Sequence, residues 1–185
     1  MLAIQAEVEE RQRTPETIAS EVFEEQSRSG NPLLSLGVVK LDSTEVNKTF
    51  SRMATLFTEY PEILGPVPQA ILSPDYKLLI EDAKEWLAGK NIPQEIGGEA
   101  VNPVLLAEIA RQTLRPYLIK YSQVLEERHR KESWRRNYCP LCGSEADFSY
   151  LEREVGGRFL VCPACCTEWL GQRMECPFCG STLPW

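Results

Sequence analysis

All seven cysteines of the 185-residue chain fall in one late stretch, at Cys139, Cys142, Cys162, Cys165, Cys166, Cys176 and Cys179. Six of them make three C-x-x-C pairs, read as C-P-L-C, C-P-A-C and C-P-F-C. A C-x-x-C step sets two thiols one tight turn apart, which suits two ligands of a tetrahedral metal better than two halves of a strained disulfide. In C-P-L-C-G and C-P-F-C-G the proline fixes φ inside the turn, and the glycine can take a positive φ that lets backbone N–H groups face the sulfurs. A redox dithiol is the competing chemistry, but such pairs open a helix in a βαβ unit and come singly.

The 19 residues between the first two pairs read as a hairpin. Phe148, Tyr150 and Leu151 climb one strand, Gly156-Gly157 turns, and Phe159 and Val161 alternate down the other. Knuckle, hairpin, knuckle predicts a zinc-ribbon or rubredoxin-like unit in which Cys139, Cys142, Cys162 and Cys165 close one four-sulfur site. That donor set favours zinc or iron over calcium, magnesium or manganese. Cys176 and Cys179 lack a fourth pair and are expected to form a weaker or vacant site. They can recruit Cys166 or another chain, stay without metal, or displace the second pair. Cys166 reads most simply as a small buried hydrophobe on the way to Trp169, with ligation as the alternative. Glu168 and Trp169, on a short strand, are candidates to face a partner; the alternative for Trp169 is a cover over the metal.

The elements that must hold this site come first in the chain, and they pattern as helices. The predicted fold class is α+β: an all-helical domain over 1–133, then a small rubredoxin-like or zinc-ribbon metal-binding module over 134–185. Thr14-Pro15-Glu16 predicts a helix start, with Ile18 and Val22 on one face and an end near Ser27. Asp42, with Glu45 three residues on, predicts a second helix carrying Val46, Phe50, Met53, Phe57 and Tyr60. Ser73-Pro74 predicts a third, with Tyr76, Leu79, Ile80, Ala83 and Leu87 inward and Gly89 as its stop. Asn102-Pro103 starts the longest, where Leu106 to Leu125 keep a helical period; Pro116 inside it predicts either a kink or two helices meeting at Arg115. Leu33 to Leu41 is an apolar connection that the pattern does not assign.

A net charge of −7 argues against nonspecific nucleic-acid binding. From Cys139 to Trp185 three arginines (Arg153, Arg158, Arg173) face six acids (Glu145, Asp147, Glu152, Glu154, Glu168, Glu175), or −3, which repels phosphate. Arg128, Arg130, Lys131, Arg135 and Arg136 crowd the junction and read as a solvated helix end, with His129 among them. No apolar run approaches the ~18 residues of a membrane span, and the N-terminus carries acids where a signal peptide needs an apolar core, so the protein is expected to be cytoplasmic without membrane insertion. There, paired cysteines hold metal more readily than they form disulfides. No phosphate loop or Ser/His/Asp set is present.

The run W-R-R-N-Y-C-P-L-C-G-S, then R-F-L-V-C-P-A-C-C-T-E-W, then R-M-E-C-P-F-C resembles the formate dehydrogenase accessory protein family, FdhE, from Trp134 to Cys179. The resemblance implies a helical part followed by rubredoxin-like modules, and no enzymatic activity. It further implies a cytoplasmic accessory and quality-control protein that binds the catalytic subunit of formate dehydrogenase during maturation, before twin-arginine export. Family members carry four C-x-x-C pairs forming two sites, so this chain, with three, reads as a short form. A rubredoxin-like electron carrier is the main rival reading, and a zinc-ribbon nucleic-acid module the lesser one.

Overall fold

The computed structural model describes all residues except 13–17, 132–133, 135, 154–155, 178–180 and 183–185, and the side chains of 126–131. Seven helices and five short strands follow one another among the described residues. They are α1 (Leu2–Arg11), α2 (Ser20–Ser29), α3 (Ser43–Phe57), α4 (Pro61–Leu64), α5 (Gln69–Leu72), α6 (Ile80–Leu87), β1 (Glu95–Ile96), β2 (Glu99–Ala100), α7 (Pro103–Lys131), β3 (Phe148–Leu151), β4 (Arg158–Val161) and β5 (Glu168–Leu170). The fold is therefore α+β, helices first and a small cysteine-bearing ribbon last. Two compact units divide it, each discontinuous in sequence: Met1–Arg13 with Lys40–Tyr117, and Thr14–Val39 with Leu118–Trp185.

In the first unit, the Asp42 carboxylate accepts from Glu45 N at 2.9 Å and so caps α3 as the sequence predicts. Val46, Phe50, Met53 and Ala54 then line up at helical spacing and are buried. Tyr60 lies beyond the end of α3 and is half exposed, so the expected stripe stops one turn early. The third helix is also shorter than expected. It starts at Ile80, and Leu79, expected inward, is 63% exposed. The cause lies in α3: the Asn47 side chain donates to Leu78 O at 3.1 Å and accepts from Leu78 N at 2.8 Å, occupying the backbone groups a helix from Ser73 would need.

Leu105, Leu106, Ile109, Ala110 and Leu114 of α7 complete this core. The expected proline lies inside a single helix. Proline removes the N–H that would bond the carbonyl four residues back, here that of Gln112. That oxygen accepts instead from the Gln5 side chain of α1 at 3.2 Å, which explains a buried glutamine on an otherwise unremarked first helix.

In the second unit, α2 buries Phe23 and Gln26, with Val22 only half buried. It opens at Ser20; the predicted cap at Thr14, Pro15 and Glu16 lies outside the described residues. It closes at Gly30, whose φ of 73° and N–H to Gln26 O at 2.8 Å form a left-handed cap. A cluster of turns from Leu33 to Gly37 follows, with Leu33 and Leu34 fully buried. The ribbon is antiparallel in the order β3-β4-β5, with Phe148 opposite Val161 and Leu160 opposite Trp169. The hairpin falls where the alternation placed it.

Among the described residues no helix is long and apolar enough to cross a membrane.

Candidate metal centre

Each knuckle closes with the same backbone bond. Cys139 N donates to Ser144 O at 2.8 Å, Cys162 N to Thr167 O at 3.0 Å, and Cys176 N to Ser181 O at 2.8 Å. In the first two, a further bond runs from the residue after the second cysteine back to the first: Gly143 N to Cys139 O and Cys166 N to Cys162 O, both 3.0 Å. That residue must turn left-handed, and Gly143 does so at φ 86°. Cys166 fills the same position at φ 60° and is exposed, which corrects its reading as a buried hydrophobe. It stands where its sister knuckle uses glycine, and the turn aims its side chain outward.

The turns bring Cys139, Cys142, Cys162 and Cys165 together, all buried, with their sulfurs within 4.8 Å of one another. Cys139 to Cys165 and Cys142 to Cys162 are both 3.5 Å, and Cys142 to Cys165 is 3.8 Å. A disulfide needs ~2.05 Å, so none of these pairs is bonded. A tetrahedron of sulfurs around zinc at ~2.3 Å has edges of ~3.8 Å, and the observed spacings fit it. These four could hold one metal ion. Cys176, half buried, is outside the cluster, and its pair Cys179 lies outside the described residues.

The electrostatics also call for a cation. Burial pushes the Cys139 and Cys165 thiols well above the ordinary thiol range. Burial acts on Cys142 in the same sense but is outweighed by hydrogen bonds with Cys139, Cys162, Cys165 and Ser144, which hold it well below. Thiolates this close repel one another, and a bound metal would offset that repulsion. Metal uptake at neutral pH should therefore release at least the protons of Cys139 and Cys165. Titration calorimetry in buffers of different ionisation enthalpy measures this; an uptake enthalpy that ignores the buffer contradicts it.

The knuckles are held from outside the ribbon. Pro140 O accepts from the Gln26 side chain at 2.6 Å and from Leu33 N at 3.0 Å, and Leu141 O accepts from Leu34 N at 2.8 Å. Tyr138 Oη donates to Gly30 O at 2.7 Å. Pro32 packs so near Gly143 that a Cβ there would lie 3.0 Å from it. The unassigned stretch after Leu33 is thus a cradle for the first knuckle. Hydrophobic pattern alone gave no sign of it, because the contacts are backbone ones.

Trp169, expected either to face a partner or to cover the metal, is 0% exposed, and its Nε1 donates to Arg136 O at 3.0 Å. It belongs to the ribbon's own core, and the surface of the pair belongs to Glu168, which is half exposed and accepts from Tyr150 Oη at 2.6 Å. Of the basic cluster at the junction, Arg136 is described in full; its guanidinium lies 5.5 Å over the Trp134 ring and against Gly30, so it packs as well as charges the surface. His129 lies outside the described side chains.

Residues 138–173 match the family described as FdhE, central domain. A protein of Aquifex aeolicus (strain VF5), named Protein FdhE homolog, is 39% identical over 71 residues, which are 37% of this chain and 24% of that protein. The matched part thus spans about a quarter of that relative's length. No solved structure matches the chain. Both sequence matches support the FdhE family.

Proposed function

We propose that this chain is an accessory and quality-control protein for formate dehydrogenase, which binds the catalytic subunit during cytoplasmic maturation before export and has no turnover of its own. The observation that carries this reading is the buried four-cysteine ribbon, formed by the C-P-L-C-G-S and C-P-A-C-C-T-E-W segments within the stretch that matches the FdhE central domain. Cys139, Cys142, Cys162 and Cys165 hold zinc or iron as thiolates; Cys176 and Cys179, with only two ligands between them, are the weaker or vacant site. The metal serves the fold, and the fold presents a surface. Glu168 is the partner-facing residue, and Trp169 acts from beneath it by holding β5 in place.

Capture from the native host tests this. The tagged chain should recover the formate dehydrogenase catalytic subunit, and deleting the gene should lower formate dehydrogenase activity at least several-fold. If the subunit is never recovered and its activity survives deletion, the accessory reading fails. A purified protein whose visible absorption bleaches and returns reversibly with reductant would then support electron transfer.

A further inference from the structure

Two of the knuckle turns set a hydroxyl side chain against a cysteine sulfur. Ser144 Oγ lies 3.5 Å from Cys142 Sγ. Thr167 Oγ1 lies closer, 3.0 Å from Cys165 Sγ, and it donates in turn to a second hydroxyl behind it, Ser122 Oγ of α7, also at 3.0 Å. Thr167 is 1% exposed and Ser122 7%, so water does not compete for either contact. A helical serine in a buried position usually bonds its own backbone or turns to solvent; this one meets a side chain 45 residues away that touches a candidate metal ligand.

We propose that Thr167 and Ser122 are positioning residues for the metal, with Ser122 aiming the Thr167 hydroxyl at the Cys165 sulfur. This rests on the metal reading of the four cysteines. A metal-bound thiolate can only accept hydrogen bonds, and a threonine has one O–H to give. With metal bound, the Thr167 O–H therefore turns from Ser122, to which it donates here, to Cys165 Sγ, and the Ser122 hydroxyl turns to donate to the Thr167 Oγ1 left behind. Threonine suits the task because its β-branch restricts χ1 and holds the hydroxyl in place. The hydrogen bond draws electron density from one sulfur of the four. It gives Cys165 a closer hydroxyl than Ser144 gives Cys142, and it joins α7 to the site through a single chain of oxygens. Outer hydroxyls of this kind fix ligand orientation and tune affinity, and their loss typically costs about 10–100-fold in metal binding.

The probe is cobalt(II), read by its sulfur-to-metal charge-transfer absorption, together with zinc affinity by chelator competition. Wild-type protein should bind one ion. Thr167→Val should weaken zinc by about 10–100-fold and move the charge-transfer band to longer wavelength, because an unbonded sulfur gives up electron density more easily. Ser122→Ala, which removes one oxygen from a helix that tolerates alanine, should move the band the same way by less. Thr167→Ser should restore most of the wild-type band. In the Thr167→Val background, Ser122→Ala should add nothing, since its target is gone. A merely structural role would lower stability in circular dichroism without moving the band. An unchanged band and affinity in Thr167→Val, or a full Ser122→Ala effect in that background, overturns the inference while leaving the metal reading intact. Wild-type protein that takes up neither ion overturns both.

Discussion

Replacing Cys142 and Cys162 together by serine should abolish metal binding and unfold the ribbon, while α3, α6 and the core of the first unit persist. The two residues sit in different knuckles with their sulfurs 3.5 Å apart, so the change removes one ligand from each half of the site. Structural zinc contributes about 10–16 kcal/mol of apparent binding energy in small domains, far more than the few kcal/mol their cores supply. The strands of this ribbon are only three or four residues long, and Phe148 and Leu151 on β3 are each 60% exposed, so packing alone is a weak substitute. The loss should spread to α2, whose Gln26 bonds the first knuckle at Pro140. Hydrogen exchange should show protection lost over 139–170 and over α2, and retained over α3. Full metal content with an intact ribbon would sink the site assignment.

Trp169→Ala should destabilise the second unit by about 3–5 kcal/mol, the range for truncating a large buried aromatic side chain. Trp169 is fully buried, stands opposite Leu160 on β4, and donates to Arg136 O. Removing it opens a cavity and strands a carbonyl. Trp169→Phe should cost less, since most of the volume stays and the unpaired Arg136 O accounts for about 1–3 kcal/mol. Glu168→Ala, at a half-exposed site, should fall within about 1 kcal/mol of wild type even though it loses the bond from Tyr150. Chemical denaturation followed by ribbon fluorescence separates these. A Trp169→Ala protein as stable as wild type would show that the side chain is not the core residue the structure makes it. Partner capture then has a clean design: Glu168→Ala probes the surface, whereas Trp169→Ala probes the fold.

The site was legible in the chain because its signals are local. C-x-x-C spacing, the glycine after C-P-L-C and the Gly156-Gly157 turn each act within a few residues, and the four sulfurs lie where that pattern puts them. The cap of α3 by Asp42 was legible for the same reason. What the sequence hid was long-range. The start of α6 depends on Asn47, 31 residues before Leu78, and helical pattern could not anticipate an amide that takes over a backbone. Trp169 reads equally as a contact residue or as a cover over the metal, because a short strand has two faces and nothing local says which is covered. Thr167 and Ser122 had a partial signal: a hydroxyl residue recurs two places after the second cysteine of each knuckle, at Ser144, Thr167 and Ser181, and only the fold could add Ser122. The expected boundary at residue 134 marks the end of helical patterning; compactness also groups Thr14–Val39 with the ribbon.

That grouping has a consequence for how the chain is made. Gln26 precedes its acceptor Pro140 by 114 residues, and Leu33 and Leu34 wait for the same knuckle. At a synthesis rate of about 5–20 residues per second, roughly 6–23 s pass between the emergence of α2 and that of its partner. Through that interval the Leu33 and Leu34 N–H groups lack their acceptors, Pro140 O and Leu141 O, and closing so long a separation is slow compared with pairing neighbours. The second unit therefore assembles from two separated segments, only after the first knuckle has emerged. Metal reaching Cys139 and Cys142 then follows the emergence of α2 by that interval, and a nascent chain stalled before residue 139 should leave α2 open to protease.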